Sequence, residues 1–177
     1  MQPVLELPPD WASQVVIRHL SKDDLPDLEW GGEYAHFRRL YGEVYQSACE
    51  GKAVLWVAEL PKIDLLGQLF VQLTSARLEL ADGIYRAYIY GFRIKPTYRN
   101  QGIGKRMMAI AEQDLLRRNF TKVTLNVACN NPRARQLYDQ LGYQEVGTDP
   151  GRWSYLDQDG KRQEVHEPAW RMEKALF

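Results

Sequence analysis

The chain has 177 residues, 45% hydrophobic, 26% charged and 11% aromatic, with 23 basic residues against 23 acidic ones and a net charge of +0. That length fits one domain, residues 1–177, with a core of ordinary size. The charge balance excludes a protein that grips nucleic acid or an anionic membrane through bulk charge. No apolar stretch spans a bilayer, and "MQPVLELPPDW" has prolines and acids where a secretory leader would have a basic start and an apolar core. Cys49 and Cys129 are too few for a disulfide framework or a zinc site, so the expectation is a cytoplasmic protein.

In chain order, "QVVIRHL" reads as a first strand, and "SKDD" as a helix N-cap opening a short helix. "EYAHFRRLYGEVYQSACEG" sets Tyr34, Phe37, Tyr41, Val44, Tyr45 and Ala48 at helical spacing and stops at Gly51, which predicts a second helix. "AVLWVAEL" and "GQLFVQLTS", joined by "PKIDLL", read as a strand pair, and "IYRAYIYGFRI" as a third long strand; short links predict an antiparallel meander. The pattern then changes. Ile103, Met107, Ala111 and Leu115 repeat at helical spacing, and "TKVTLNVAC" follows as a strand, which makes a βαβ unit with a right-handed crossover. "NNPRARQLYDQLG" predicts a helix that begins with Asn and Pro and ends at Gly142. "YQEVGT" adds a strand, and the tail reads as an extra hairpin turning at "DQDG" before a last strand. The class is α/β (α+β) with a mixed sheet.

Between the third long strand and the helix that follows lies "YRNQGIGKR". The first N–H groups of a helix lack internal partners and carry partial positive charge, so this is an anion site in outline. Gly102 and Gly104 would let phosphate oxygens approach the main chain, with Arg99, Lys105 and Arg106 to neutralise them. The alternative is that the glycines only shape a tight strand-to-helix turn. A Walker loop is excluded, since Arg99 stands where its first Gly belongs and Arg106 where Ser or Thr follows the Lys. Met107 in the third glycine's place excludes the dinucleotide fingerprint.

What fits is a pair of motifs. "RNQGIG" resembles the Arg/Gln-x-x-Gly-x-Gly/Ala signature of the GNAT superfamily of acyl-CoA-dependent N-acyltransferases. "NNPRARQLYDQLGY" resembles the same family's Asn-x-x-Ala-x-x-Leu-Tyr-x-x-x-Gly-Phe/Tyr helix, with Asn131, Ala134, Leu137, Tyr138, Gly142 and Tyr143 in register. The resemblance implies a GNAT-like fold with two N-terminal helices, and acetyl-CoA as cosubstrate with no metal. It implies that the glycine loop holds the pyrophosphate and that "YIYGFRI" and "VTLNVAC" splay apart around the pantetheine arm. The contacts it implies are Phe92, Arg93, Ile94, Arg99, Asn100, Gln101, Gly102, Ile103, Gly104, Lys105, Asn126, Asn131, Ala134 and Tyr138. Main-chain groups of Phe92 to Ile94 would pair with the arm as an added strand does, and an N–H near Ile94 would serve as oxyanion donor.

By its place in the motif, Tyr138 resembles the family's general acid, the catalytic residue that protonates the departing thiolate. Its alternative reading is a core aromatic at helical spacing. No acid on the two strands stands out as general base; a water chain ending at Tyr90 or Asn126, or a remote acid such as Glu33 or Glu79, are the options. Cys129 reads as a small buried residue rather than a nucleophile, which favours direct transfer. His19, His36 and His166 lack metal-ligand spacing. The expected partner is an amine-bearing acceptor, a small molecule or a peptide or protein amine, with no nucleic acid and no membrane. A non-catalytic acyl-CoA-binding sensor or docking module is the alternative. The aromatic hairpin around Trp153 and Tyr155 is expected to wall the acceptor side, facing Trp30, Tyr34 and Phe37, or else to make a homodimer contact.

Overall fold

A computed structural model describes residues 6–177, so the first five residues of the stretch read above for a leader lie outside it. Strand β1 (Val16–His19) leads into a 3-10 run, Lys22–Gly32. The expected cap is there: the Asp24 carboxylate accepts from the Ser21 N–H at 2.7 Å and is gripped by the two terminal Arg18 nitrogens at 2.7 and 2.9 Å. This first helix has 3-10 rather than α geometry, because Pro26 lies inside it and Trp30 and Gly31 turn left-handed at its end. The next helix therefore begins later than its periodicity predicts, with a 3-10 turn at Ala35–Phe37 and α1 proper at Arg38–Cys49.

Strands β2 (Ala53–Leu60), β3 (Asp64–Gln72) and β4 (Arg86–Ile94) form the antiparallel meander with β1. Helix α2 (Ile103–Arg117) crosses to β5 (Lys122–Ala128), which pairs parallel to β4. Helix α3 (Pro132–Gln140) precedes β6 (Gln144–Asp149), the hairpin β7 (Arg152–Leu156) and β8 (Arg162–His166), and β9 (Ala169–Ala175). The seven-stranded order is β1-β2-β3-β4-β5-β9-β6, so the last strand inserts between β5 and β6, and the hairpin is a separate two-stranded sheet.

Burial explains the layering. Successive side chains of a strand point to opposite faces, and β2 is apolar at both parities. Val54, Trp56 and Ala58 join Met107, Met108, Ala111 and Leu115 of α2 under one face. Leu55 and Val57 join Phe37, Tyr41 and Val44 under the other. A Met107→Ala change at this fully buried position would cost about 2–5 kcal/mol. No helix among the described residues is long and apolar enough to cross a membrane.

Candidate active site

The site begins with a glycine that the β-pattern alone passes over. Gly91 sits inside β4 at φ 60, and a Cβ there would lie 2.7 Å from the Phe70 ring. The β3–β4 register slips between Gln68 and Phe70, a bulge that bends β4. Parallel pairing of β4 with β5 accordingly stops at Ile89 with Leu125, while β5 goes on pairing with β9 through Ala128. Beyond Ile89 the two strands open into a seam. Lys95 N–H bonds to Leu66 C=O at 2.8 Å, so Ile94, one residue earlier in the alternation, turns its amide toward the open side.

On one side of the seam lies a groove of about 720 Å³. It is lined by Phe92, Arg93, Ile94, Arg99, Asn100, Gly102, Ile103, Gly104, Lys105, Asn131, Ala134 and Tyr138. Gly102 stands at the N-cap of α2, held at φ 77 with open space where a side chain would be, and no side chain caps the helix. Its first N–H groups are therefore free to meet an anion. A Cβ on Gly104 would press to 3.3 Å on Phe92 and 3.4 Å on Ile94, so this glycine keeps the groove floor low. Asn131 caps α3 by accepting from the Ala134 N–H at 3.1 Å, which leaves its amide nitrogen to the groove.

Some expected residues go elsewhere. Gln101 is exposed and does not line the groove. Arg106 turns away to donate to the Ala12 and Val15 carbonyls at 3.0 and 2.9 Å, because one helical step separates it from Lys105. Arg99 does line the groove, its Nε donating to the Ile94 carbonyl at 2.8 Å while its terminal nitrogens have no partner among the described residues. Arg133 adds charge in place of Arg106, on the groove wall and donating to Asn100 at 3.0 Å. A cation in the first turn of a helix opposes the helix dipole, and that was the signal for it in "NNPRA".

Tyr138 is buried, and its hydroxyl finds no hydrogen-bond partner among the described residues while lining the groove. Burial, then the nearby Tyr88 phenol, pushes its pKa above the usual phenol range, so it keeps its proton at neutral pH.

A second cavity of about 610 Å³ lies on the opposite side, walled by Phe37, Tyr41, Phe70, Tyr88, Tyr90 and Trp153. Arg93 lines both cavities. The side chain of Asn126 opens here and not into the glycine groove. It accepts from Arg171 at 2.8 Å and donates to Asp149 at 3.3 Å, since odd and even positions of β5 face opposite ways. Burial works against the charge on Asp149, but the Gly151 N–H at 2.7 Å and the Arg77 and Arg171 guanidiniums outweigh it and hold the carboxyl at about 2. A carboxylate so held is a poor base at neutral pH. Burial raises Tyr90 too, which keeps that phenol protonated. Glu79 is tied to Arg77 at 2.9 Å, and neither it nor Glu33 lines either cavity. Glu43 and Glu167 line the second one, and their sequence surroundings carried no sign of it.

Cys129 is exposed, because β5 has ended one residue earlier, and it lines neither cavity. The hairpin folds onto the N-terminal helices: Trp153 stacks on Phe37 at 6.1 Å and Tyr155 meets Phe37 edge-on at 5.0 Å. Trp30 packs on Tyr34 at 5.0 Å.

A family model described as the acetyltransferase (GNAT) family matches residues 24–143. An uncharacterized N-acetyltransferase, YycN of Bacillus subtilis (strain 168), is 31% identical over 92 residues. That stretch is 52% of this chain and 56% of YycN, so the match spans a little over half of that curated relative. Two solved structures share the fold at low identity. The ribosomal-protein-S18-alanine N-acetyltransferase of Escherichia coli has a TM-score of 0.67 at 18% identity, over 92% of this chain and 94% of that one. The spermidine/spermine N-acetyltransferase SpeG of Vibrio cholerae has a TM-score of 0.68 at 20% identity, over 93% and 94%.

Proposed function

The chain belongs to the GNAT acetyltransferase family, and from that premise we propose that it is an acyltransferase that moves an acetyl group from acetyl-CoA directly to a primary amine. The observation that carries this reading is the seam between β4 and β5, with a glycine-started helix on one side, an aromatic cavity on the other and the Tyr138 phenol opening toward it. The groove fits the cosubstrate: α2 begins with free N–H groups over glycines, and Lys105 and Arg133 add positive charge. Bound there, acetyl-CoA supplies a thioester, an acetyl group activated toward amines.

The protein's residues then have distinct tasks. The start of α2, with Lys105 and Arg133, holds the pyrophosphate. The free amide nitrogen of Asn131 and the main chain of Phe92 to Ile94 hold the arm, in the manner of an added strand. The Ile94 N–H, turned to the open side, is the donor for the carbonyl oxygen as it gains charge. Tyr138 holds a proton at Oη for the departing sulfur, and its burial keeps that proton in place. The acceptor enters through the second cavity as a neutral amine. Its surplus proton leaves to water, with the exposed carboxylates Glu43 and Glu167 available to receive it. The acceptor is a small molecule or a peptide or protein amine. Residues 1–177 act as one acetyltransferase domain, and two exposed, unpaired thiols suit a reducing cytoplasm.

The test is thiol release from acetyl-CoA across a panel of amines. Release that depends on an amine supports the enzyme. Tight acetyl-CoA binding with no release for any amine would make the chain an acyl-CoA-binding sensor.

A further inference from the structure

The half-buried cations of this protein face carboxylates as a rule: Arg18 pairs with Asp24, Arg86 with Glu173, Lys95 with Asp64, Arg171 with Asp149 and Lys174 with Glu112. Arg93 and Arg99 break that rule, and Arg99 donates to the Ile94 carbonyl at 2.8 Å, which leaves Arg93 as the one held against rings. It is half-buried where β4 leaves the bulge, it lines both cavities, and it pairs with no carboxylate among the described residues. Its guanidinium lies 4.5 Å from the Tyr34 ring centre and 5.3 Å from that of Phe37, and one of its nitrogens donates to the Tyr41 hydroxyl at 3.2 Å. The two ring faces and one hydroxyl fix the plane of the group and leave most of its five donors unused. A charge withdrawn from water without a counter-charge is costly. A planar guanidinium held with donors to spare is also the geometry that takes a carboxylate through two parallel hydrogen bonds.

We propose that Arg93 binds a carboxylate of the substrate at the seam, so that the preferred acceptor is a primary amine carrying a carboxylate beside the reacting nitrogen and an apolar side chain, the chemistry of an α-amino acid. This rests on the acyltransferase reading of the same site. Of the rings that hold Arg93, Phe37 and Tyr41 line the second cavity and Tyr34 the mouth of the first, so the guanidinium sits between the two; on the acceptor side the walls formed by Phe70, Tyr88, Tyr90 and Trp153 suit an apolar side chain. The pyrophosphate is not the anion in question: Phe92 and Ile94, on either side of Arg93, turn toward Gly104, so the Arg93 side chain leaves β4 on the other face, toward Tyr41. A carboxylate at the far end of a dicarboxylic acyl group would offer Arg93 the same chemistry from the other side of the seam.

The experiment is calorimetric titration of the full chain saturated with CoA. The probes are L-phenylalanine, L-leucine and L-methionine, each against its carboxamide, and spermidine as an amine with no carboxylate. The wild-type protein is expected to bind the acids at least 10-fold more tightly than the carboxamides. Arg93→Met should bring that ratio close to one, and Arg93→Lys, which keeps the charge and loses the fork, should retain part of it. A parallel titration with succinyl-CoA and acetyl-CoA locates the source: a 10-fold preference for succinyl-CoA that Arg93→Met removes assigns the carboxylate to the acyl side. Equal affinity for acid and carboxamide together with no preference for succinyl-CoA, or discrimination that survives in a folded Arg93→Met protein, overturns the proposal, as does spermidine binding more tightly than every acid. Discrimination without thiol release from any amine would remove the acyltransferase reading and leave the carboxylate site standing.

Discussion

Tyr138 joins two properties that usually exclude each other: a buried ring, packed edge-on against Tyr143 at 5.8 Å, and a hydroxyl free to act. Burial works in favour of its proposed role, because a phenol pushed above its ordinary range stays a donor through neutral pH. Tyr138→Phe is expected to lower kcat by about 10²-fold or more with little change in acetyl-CoA affinity, since only a proton carried late in the reaction is lost. The check is single-turnover kinetics beside a binding titration. In the wild type, kcat should show no fall from Tyr138 deprotonation as the pH rises from about 6 to about 9, the raised pKa lying beyond that window. Equal turnover of the two proteins, with chemistry rate-limiting, would return Tyr138 to the role of a core aromatic.

At the scale of elements, the start of α2 and the hairpin divide the labour. Gly104 packs under the groove floor, and Gly104→Val would drive methyl groups into Phe92, Ile94 and the space between. Acetyl-CoA at about a hundred times its Kd should stabilise the wild type by about 2.7 kcal/mol. The folded Gly104→Val protein should lose most of that shift in a melting experiment. An unaltered shift would sink the assignment of the pyrophosphate to this helix. The hairpin stands on Gly151, at φ 65 and with no room for a Cβ beside the Glu167 carbonyl, while Arg152, Trp153 and Glu167 reach the second cavity, the proposed acceptor site. Replacing Trp153 to Val165 with a short turn should leave acetyl-CoA binding intact and lower kcat/KM for the acceptor, with no change in solution mass. A drop from dimer to monomer would instead make the hairpin a subunit contact.

The whole molecule is tied together at Asp149. Its carboxylate accepts from Arg77, which follows β3, at 2.8 Å, from Asn126 on β5 and from Arg171 on β9, and its other oxygen takes the Gly151 N–H at the root of the hairpin. Four segments distant in sequence meet on one charge. Its folded pKa, about 2, lies below the ordinary 3.8, so its contribution is present above that ordinary value and is lost as the pH falls toward about 2. The shift corresponds to a contribution on the order of 2 kcal/mol at neutral pH. In denaturant unfolding, Asp149→Asn should be less stable than wild type at pH 7, and the gap should narrow as the pH falls from about 5 to about 2. A gap that does not change with pH would mean that the charge on Asp149 contributes nothing and that only its shape matters.

The order of helices and strands, the meander, the βαβ unit and the hairpin at "DQDG" were legible in the residues, because periodicity, caps and turn chemistry act over a few positions. The glycine loop and the Asn131-to-Tyr143 motif were legible for the same reason: each is a continuous segment, although the groove they line together joins stretches well apart in the chain. What the tertiary structure decided are matters of facing and of distant partners. The insertion of β9 between β5 and β6 pairs strands brought together only by the closed chain. The bulge at Gly91 depends on the Phe70 ring of a neighbouring strand, and it sets where the seam opens and which residues face it. One step along a helix separates Lys105, in the groove, from Arg106, bound to the N-terminal segment, and Asn126 looks to the second cavity while Arg133 joins the groove in place of Arg106. Arg93 reads in the sequence as one more charge. Only packing against Tyr34, Phe37 and Tyr41 makes it a cation without a counter-charge, since that property depends on what every other element fails to bring to it.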